Sequence, residues 1–148
     1  MNLFFPDLNI WLALSVPDHI HRRDAWNWLN SVPHDHTIAF ARYTHIGLLR
    51  LLTNPSVMGE NTLTLNQAWA VYDQWLEDPR VEFYPEPRDI DAGLRDSTVP
   101  FGDRPASKWV GDCYLLAYAK KSDAVLVTFD RALFDLALKQ HCSAVRPH

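Results

Sequence analysis

Lys108-Trp109-Val110-Gly111-Asp112-Cys113-Tyr114-Leu115-Leu116-Ala117-Tyr118-Ala119, followed by Ala124-Val125-Leu126-Val127-Thr128-Phe129-Asp130, decides the fold. The first stretch reads as a buried helix, predicted over Ser107 to Lys120. The second is a continuous apolar run ended by an aspartate, the pattern of a strand covered on both faces. The same continuous pattern recurs at the start of the chain, where Asn2 to Pro6 predicts a strand closed by Asp7. Between these ends, strands are predicted at Thr37 to Phe40 and Val81 to Tyr84. Helices are predicted at Ile10 to Leu14, His21 to Leu29, Thr44 to Leu52, Leu65 to Leu76 and Pro87 to Leu94. Ser97 to Pro105 reads as a loop, Ala132 to Lys139 as the last helix and Ala144 to Arg146 as an edge strand. Strands alternating with helices imply right-handed crossovers and a mostly parallel central sheet with helices on both faces. One α/β domain over residues 1–148 is expected.

Three aspartates stand out against this frame. Asp7 interrupts a hydrophobic run, Asp112 is the only charge between Trp109 and Ala119, and Asp130 closes the best strand. A buried carboxylate without a partner costs several kcal/mol or shifts its pKa until it is neutral. Asp130 also reads as the N-cap of the last helix, and Asp7 as an Asx-turn residue beside Asn9. In an open parallel sheet, ligands bind beyond the carboxyl ends of the strands. Asp7 and Asp130 then share a rim, and a right-handed crossover brings one end of the Asp112 helix to it. Converging carboxylates repel unless a hard cation sits among them, and oxygen-rich sets of this kind suit magnesium or manganese.

Composition narrows the function classes. The 148 residues are 47% hydrophobic and 22% charged, which excludes a disordered chain, and the net charge of -4 excludes a strongly basic nucleic-acid coat. The two cysteines, Cys113 and Cys142, form no CxxC pair and fit a reducing cytoplasm. The apolar run from Ile10 is far below the ~20 residues of a membrane span and follows no basic segment. Seven histidines complete no zinc pattern, and no GxSxG, P-loop or GxGxxG is present.

Taken together, the motifs resemble a known family. Phe5-Pro6-Asp7-Leu8-Asn9-Ile10-Trp11-Leu12-Ala13-Leu14 resembles the start of PIN-domain ribonucleases of the VapC toxin type. Arg42 to Thr53 is similar to their middle helix, and the block from Lys108 to Arg131 to their second signature. The resemblance spans essentially the whole chain. It implies a single PIN-like domain and an Mg2+- or Mn2+-dependent endoribonuclease. This would be the toxin of a type II toxin–antitoxin pair, with RNA as substrate, a cognate antitoxin as partner and a homodimer as the usual assembly.

By position, Asp7, Asp112 and Asp130 match the metal-binding aspartates, and Asn9 and Thr128 the polar residues beside them. The family often carries a glutamate in the middle helix, and that place is read here as His45. Glu60 and Asp103 are acidic candidates outside any motif. Arg42, Lys108 and Arg131 are candidate contacts to flanking phosphates. The competing expectations are a PIN-like scaffold that acts by protein binding alone, and a phosphatase or DNA-directed nuclease using the same ions.

Overall fold

The structure, a computed structural model, describes residues 2–148. Strand β1 (Leu3–Pro6) leads directly into helix α1 (Leu8–Ser15), with Asp7 as the N-cap. The turn expected over Asp7 to Asn9 is therefore the first turn of that helix. Helix α2 (Arg22–Ser31) and strand β2 (Thr37–Phe40) follow, then helix α3 (Arg42–Leu52). The Asn54-Pro55 pair, which reads as a helix stop, both ends α3 and starts helix α4 (Pro55–Met58). Asn54 caps α4 by accepting the Ser56 N–H at 2.9 Å, and Pro55 takes the first position, where no N–H is needed.

Helix α5 (Leu65–Leu76) is bounded by a Thr64–Gln67 capping box and precedes strand β3 (Val81–Phe83). Helix α6 (Ile90–Thr98) starts later and ends later than Pro87 to Leu94. It takes in the first part of the expected loop, and a 3-10 turn over Val99–Phe101 follows. A second 3-10 turn, Ser107–Trp109, enters helix α7 (Val110–Lys121). Strand β4 (Val125–Val127), helix α8 (Arg131–Lys139) and strand β5 (Ala144–Val145) complete the chain.

Among the described residues five strands form one sheet in the order β3-β2-β1-β4-β5, with every pairing parallel. Alternation along the strands divides the core in two. Ile38, Phe40 and Val127 face a cluster with Ile10, Trp11, Leu14, Leu48 and Leu52, whereas Phe5, Ala39 and Leu126 face Leu115, Leu116, Tyr118 and Leu133. Trp11 is fully buried and stacks on Phe40 with centroids 3.8 Å apart. Chain order reverses between β1 and β4, whose register pairs Pro6 with Val127. The crevice past their carboxyl ends is the switch point where open parallel sheets place ligands. Among the described residues no helix is long and apolar enough to cross a membrane.

Candidate active site

A cavity of about 510 Å³ opens at that switch point, and Asp7, Asp112 and Asp130 all line it. Each arrives from a different element. Asp7 follows β1, and its backbone N–H continues the ladder to the Val127 carbonyl at 2.9 Å. Its side chain caps α1 by accepting the Ile10 N–H at 3.1 Å, and its other oxygen accepts the Thr128 hydroxyl. Thr128 is fully buried and also accepts the Asp130 N–H at 3.0 Å, so one hydroxyl ties the two strand ends together. Asp130 caps α8 through the Leu133 N–H at 3.1 Å. Asp112 lies in the first turn of α7, after the 3-10 turn, rather than in mid-helix, and its charge suits the helix N-terminus there.

The electrostatics are unbalanced. Burial pushes the Asp7 carboxyl up to about 6 against the lowering effect of its hydrogen bonds, and the Asp130 charge adds to the rise. Burial and then Asp130 likewise raise Asp112. Hydrogen bonds alone do not offset the charge gathered here.

The donor set is hard oxygen throughout, with no thiolate or imidazole lining the cavity, which fits magnesium or manganese rather than zinc. Among the described residues, however, no three acidic, histidine or cysteine side chains form a group that could hold an ion as they stand. The expected tight convergence is thus a shared cavity and not a closed cage. Magnesium keeps several waters and uses one or two carboxylates directly, so an open set suits it better than it would suit a dehydrated ion.

The other residues singled out by sequence divide sharply. Asn9 and Lys108 line the cavity, and Thr128 lies beneath it bound to Asp7. His45 does not line it. It is 2% exposed, stacks on Tyr72 at 3.8 Å, and faces Arg42 through Nδ1 at 2.9 Å, while its Nε2 has no hydrogen-bond partner among the described residues. Burial and the Arg42 charge lower its pKa, which keeps it neutral near pH 7.

The reason is helical phase. At about 100° per residue, position 45 points about 200° away from position 43, onto the core face with Leu48 and Leu52. The cavity face of α3 carries Tyr43, Ile46, Gly47 and Arg50. Position 47, not 45, lies on the cavity wall, and there the Leu8 side chain fills the space, its Cδ2 2.6 Å from where a Cβ would stand. Helix α3 therefore brings no carboxylate to the cavity. Neither Glu60 nor Asp103 lines it.

Arg42 lies over the Phe83 ring at 4.2 Å, and neither it nor Arg131 lines the cavity. Arg50 does, and sequence reasoning passed over it together with Tyr43. Their i, i+3, i+4, i+7 spacing with Ile46 and Gly47 was the signal available.

No family model matches the chain. Ribonuclease VapC41 of Mycobacterium tuberculosis is 40% identical over 130 residues, covering 85% of this chain and 88% of that protein. Ribonuclease VapC39 of the same organism is 32% identical over 134 residues, covering 88% and 91%. Among solved structures, VapBC2 from Rickettsia felis, bound to a DNA fragment from its promoter, aligns over 99% of both chains with a TM-score of 0.70 and 15% identity. M. tuberculosis VapC20, described as a sarcin-ricin loop cleaving toxin, aligns over 89% of this chain and 93% of its own with a TM-score of 0.66 and 16% identity. The structural likenesses establish the fold, and the sequence relatives the family: this chain belongs to the PIN-domain ribonucleases of the VapC type.

Proposed function

We propose that the chain is a metal-dependent endoribonuclease hydrolysing RNA phosphodiester bonds in this cavity, and that it is the toxin of a toxin–antitoxin pair. One observation carries the reading. In a chain of this family, three carboxylates from three separate elements line one cavity at the sheet's switch point, and burial holds two of them, Asp7 and Asp112, above the usual carboxylate range. Asp7, Asp112 and Asp130 would hold Mg2+ or Mn2+, directly or through water. When bound, the ion supplies Lewis acidity and makes water a stronger nucleophile at neutral pH.

The chain's own groups set the stage for that chemistry. The Ile10 N–H and the Thr128 hydroxyl fix the Asp7 carboxylate, and the Leu133 N–H fixes one oxygen of Asp130, leaving the other free. Lys108 and Arg50 place positive charge on the same cavity, where they would engage phosphates flanking the scissile bond. Asn9 offers an amide at the same cavity. Arg131, exposed next to Asp130, is a weaker candidate for such a contact, and Arg42 is drawn away by Phe83 and His45.

Residues 1–148 form one nuclease domain in this reading. The antitoxin lays a segment over apolar surface and blocks the cavity, the active form is a homodimer, and the site of action is the cytoplasm. Structures of VapBC assemblies that share the fold support the antitoxin partner.

The competing scaffold reading draws on the open arrangement of the carboxylates, which form no closed ion cage among the described residues. RNA cleavage by wild type and Asp112→Asn, each with and without chelator, separates the two. Cleavage lost on either change is expected, and equal cutting in all four reactions overturns the nuclease proposal.

A further inference from the structure

The seam between α3 and α5 encloses a titratable group that the cavity does not use. Tyr72 stacks on the His45 ring and Trp69 meets it edge-on with centroids 4.9 Å apart at 70°, both from α5, while Arg42 approaches from the same helix. The chemistry of that last contact fixes the tautomer. A guanidinium carries donors only, so Arg42 Nη1 at 2.9 Å makes His45 Nδ1 the acceptor, and the ring proton sits on Nε2. This N–H is shut off from water and meets no acceptor among the described residues.

A second proton has only Nδ1 to go to, where it would point at the guanidinium. Swinging Arg42 aside gives up its place over the Phe83 ring at 4.2 Å, and the Nε2–H of a buried imidazolium would still be unpaired. No neighbour repairs this. Tyr72 offers a neutral phenol, and the exposed Asp73 of α5 draws a proton toward the ring but forms no ion pair with it among the described residues. The strands behind contribute Phe40 against Tyr72 and Phe83 under Arg42, neither of which titrates.

We propose that His45 is an acid-sensitive latch on the α3–α5 seam, which closes on the neutral ring and opens when the ring takes up a proton. The unfolded chain accepts that proton at the ordinary imidazole value of 6.5, whereas burial and then Arg42 hold the folded group lower. The contribution of this group to stability is therefore complete above about pH 6.5 and is lost as pH falls below it. The opposite face of α3 lines the cavity through Tyr43, Ile46, Gly47 and Arg50, so an open seam frees that wall as well.

The test follows urea unfolding and amide hydrogen exchange of chelated protein between about pH 7.5 and about pH 5.5, for wild type, His45→Phe and His45→Gln. Phenylalanine keeps the stack on Tyr72, glutamine keeps an acceptor for Arg42, and neither titrates. Each comparison is a ratio at one pH, so the other titrating groups, Asp7 included, cancel. Expected is a wild-type unfolding constant that grows relative to either variant's by about tenfold over the range, the ceiling for one proton with an unfolded pKa of 6.5. Exchange corrected for its intrinsic pH dependence rises at the acid end in α3 and α5 of wild type and stays level in α7 and β4. The proposal is overturned if either variant keeps the wild-type acid dependence, or if exchange in α7 and β4 rises as much as in α3 and α5.

Discussion

Asp7 and Arg80 are both buried charged residues, 4% and 8% exposed, and their surroundings differ in one decisive respect. Arg80 spends its donors on the Leu29 and Val32 carbonyls at 2.8 and 2.7 Å and on both oxygens of Asp78. Its hydrogen bonds hold the Asp78 carboxyl below the usual range. Asp7 is also hydrogen-bonded, yet no salt bridge pairs it among the described residues; burial, with a small addition from Asp130, raises its pKa to about 6. A charge buried for structure comes with its opposite already in place. A charge buried for function leaves its counterpart to be supplied from outside.

That contrast breaks most visibly at Asp112. Asp112→Asn is expected to lower RNA cleavage about a thousandfold, as loss of a group that prepares the nucleophile does, while the melting temperature holds or rises because one repelling carboxylate is gone. Cleavage rates read beside thermal melts check this, and a variant inactive only because it unfolds would contradict it. Arg80→Met should do the reverse. Leaving Asp78 and two carbonyls without their partner costs about 3 kcal/mol in urea unfolding, with cleavage per folded molecule unchanged.

A pH series on chelated protein sharpens the comparison at Asp7. The folded state keeps the Asp7 proton up to about pH 6, while the unfolded chain releases it near 3.8. The folded state therefore binds more protons in that window, and stability falls as pH rises through it, by roughly 3 kcal/mol in total from this group. Asp7→Asn should flatten that slope, and an unchanged slope would show that the burden lies elsewhere.

Saturating manganese at neutral pH should restore about 2 kcal/mol to wild type and much less to Asp112→Asn, measured by thermal shift. The smallest effect is expected at His45. His45→Phe removes an unpartnered Nε2 and keeps the stack on Tyr72, so stability changes by less than about 1 kcal/mol and cleavage stays level.

His45 and Gly47 show where reading along the chain stops. Both lie in Thr44-His45-Ile46-Gly47, and a polar side chain draws attention where a glycine does not. Which of them lines the cavity depends on the rotation of α3 about its axis, and that rotation follows from packing Leu48 and Leu52 into the core. The aspartates were easier to find, because a charge inside an apolar run is visible without coordinates. Asp130 reads from sequence both as a cap and as a rim residue, and the structure shows one side chain doing both, with one oxygen on the Leu133 N–H and the residue lining the cavity. Helix α4 was hidden because Asn54-Pro55 punctuates two helices at once.

Sequence by itself determined the parallel α/β domain, the strand ends and the three aspartates, because hydrophobic period and misplaced charge are local properties of the chain. Only the tertiary structure decided which face of α3 joins the cavity, that Tyr43 and Arg50 stand there and His45 does not, and that the carboxylates share a space without closing a cage. Those outcomes turn on rotations and separations between elements, which are fixed by packing across the sheet and not by any residue's near neighbours.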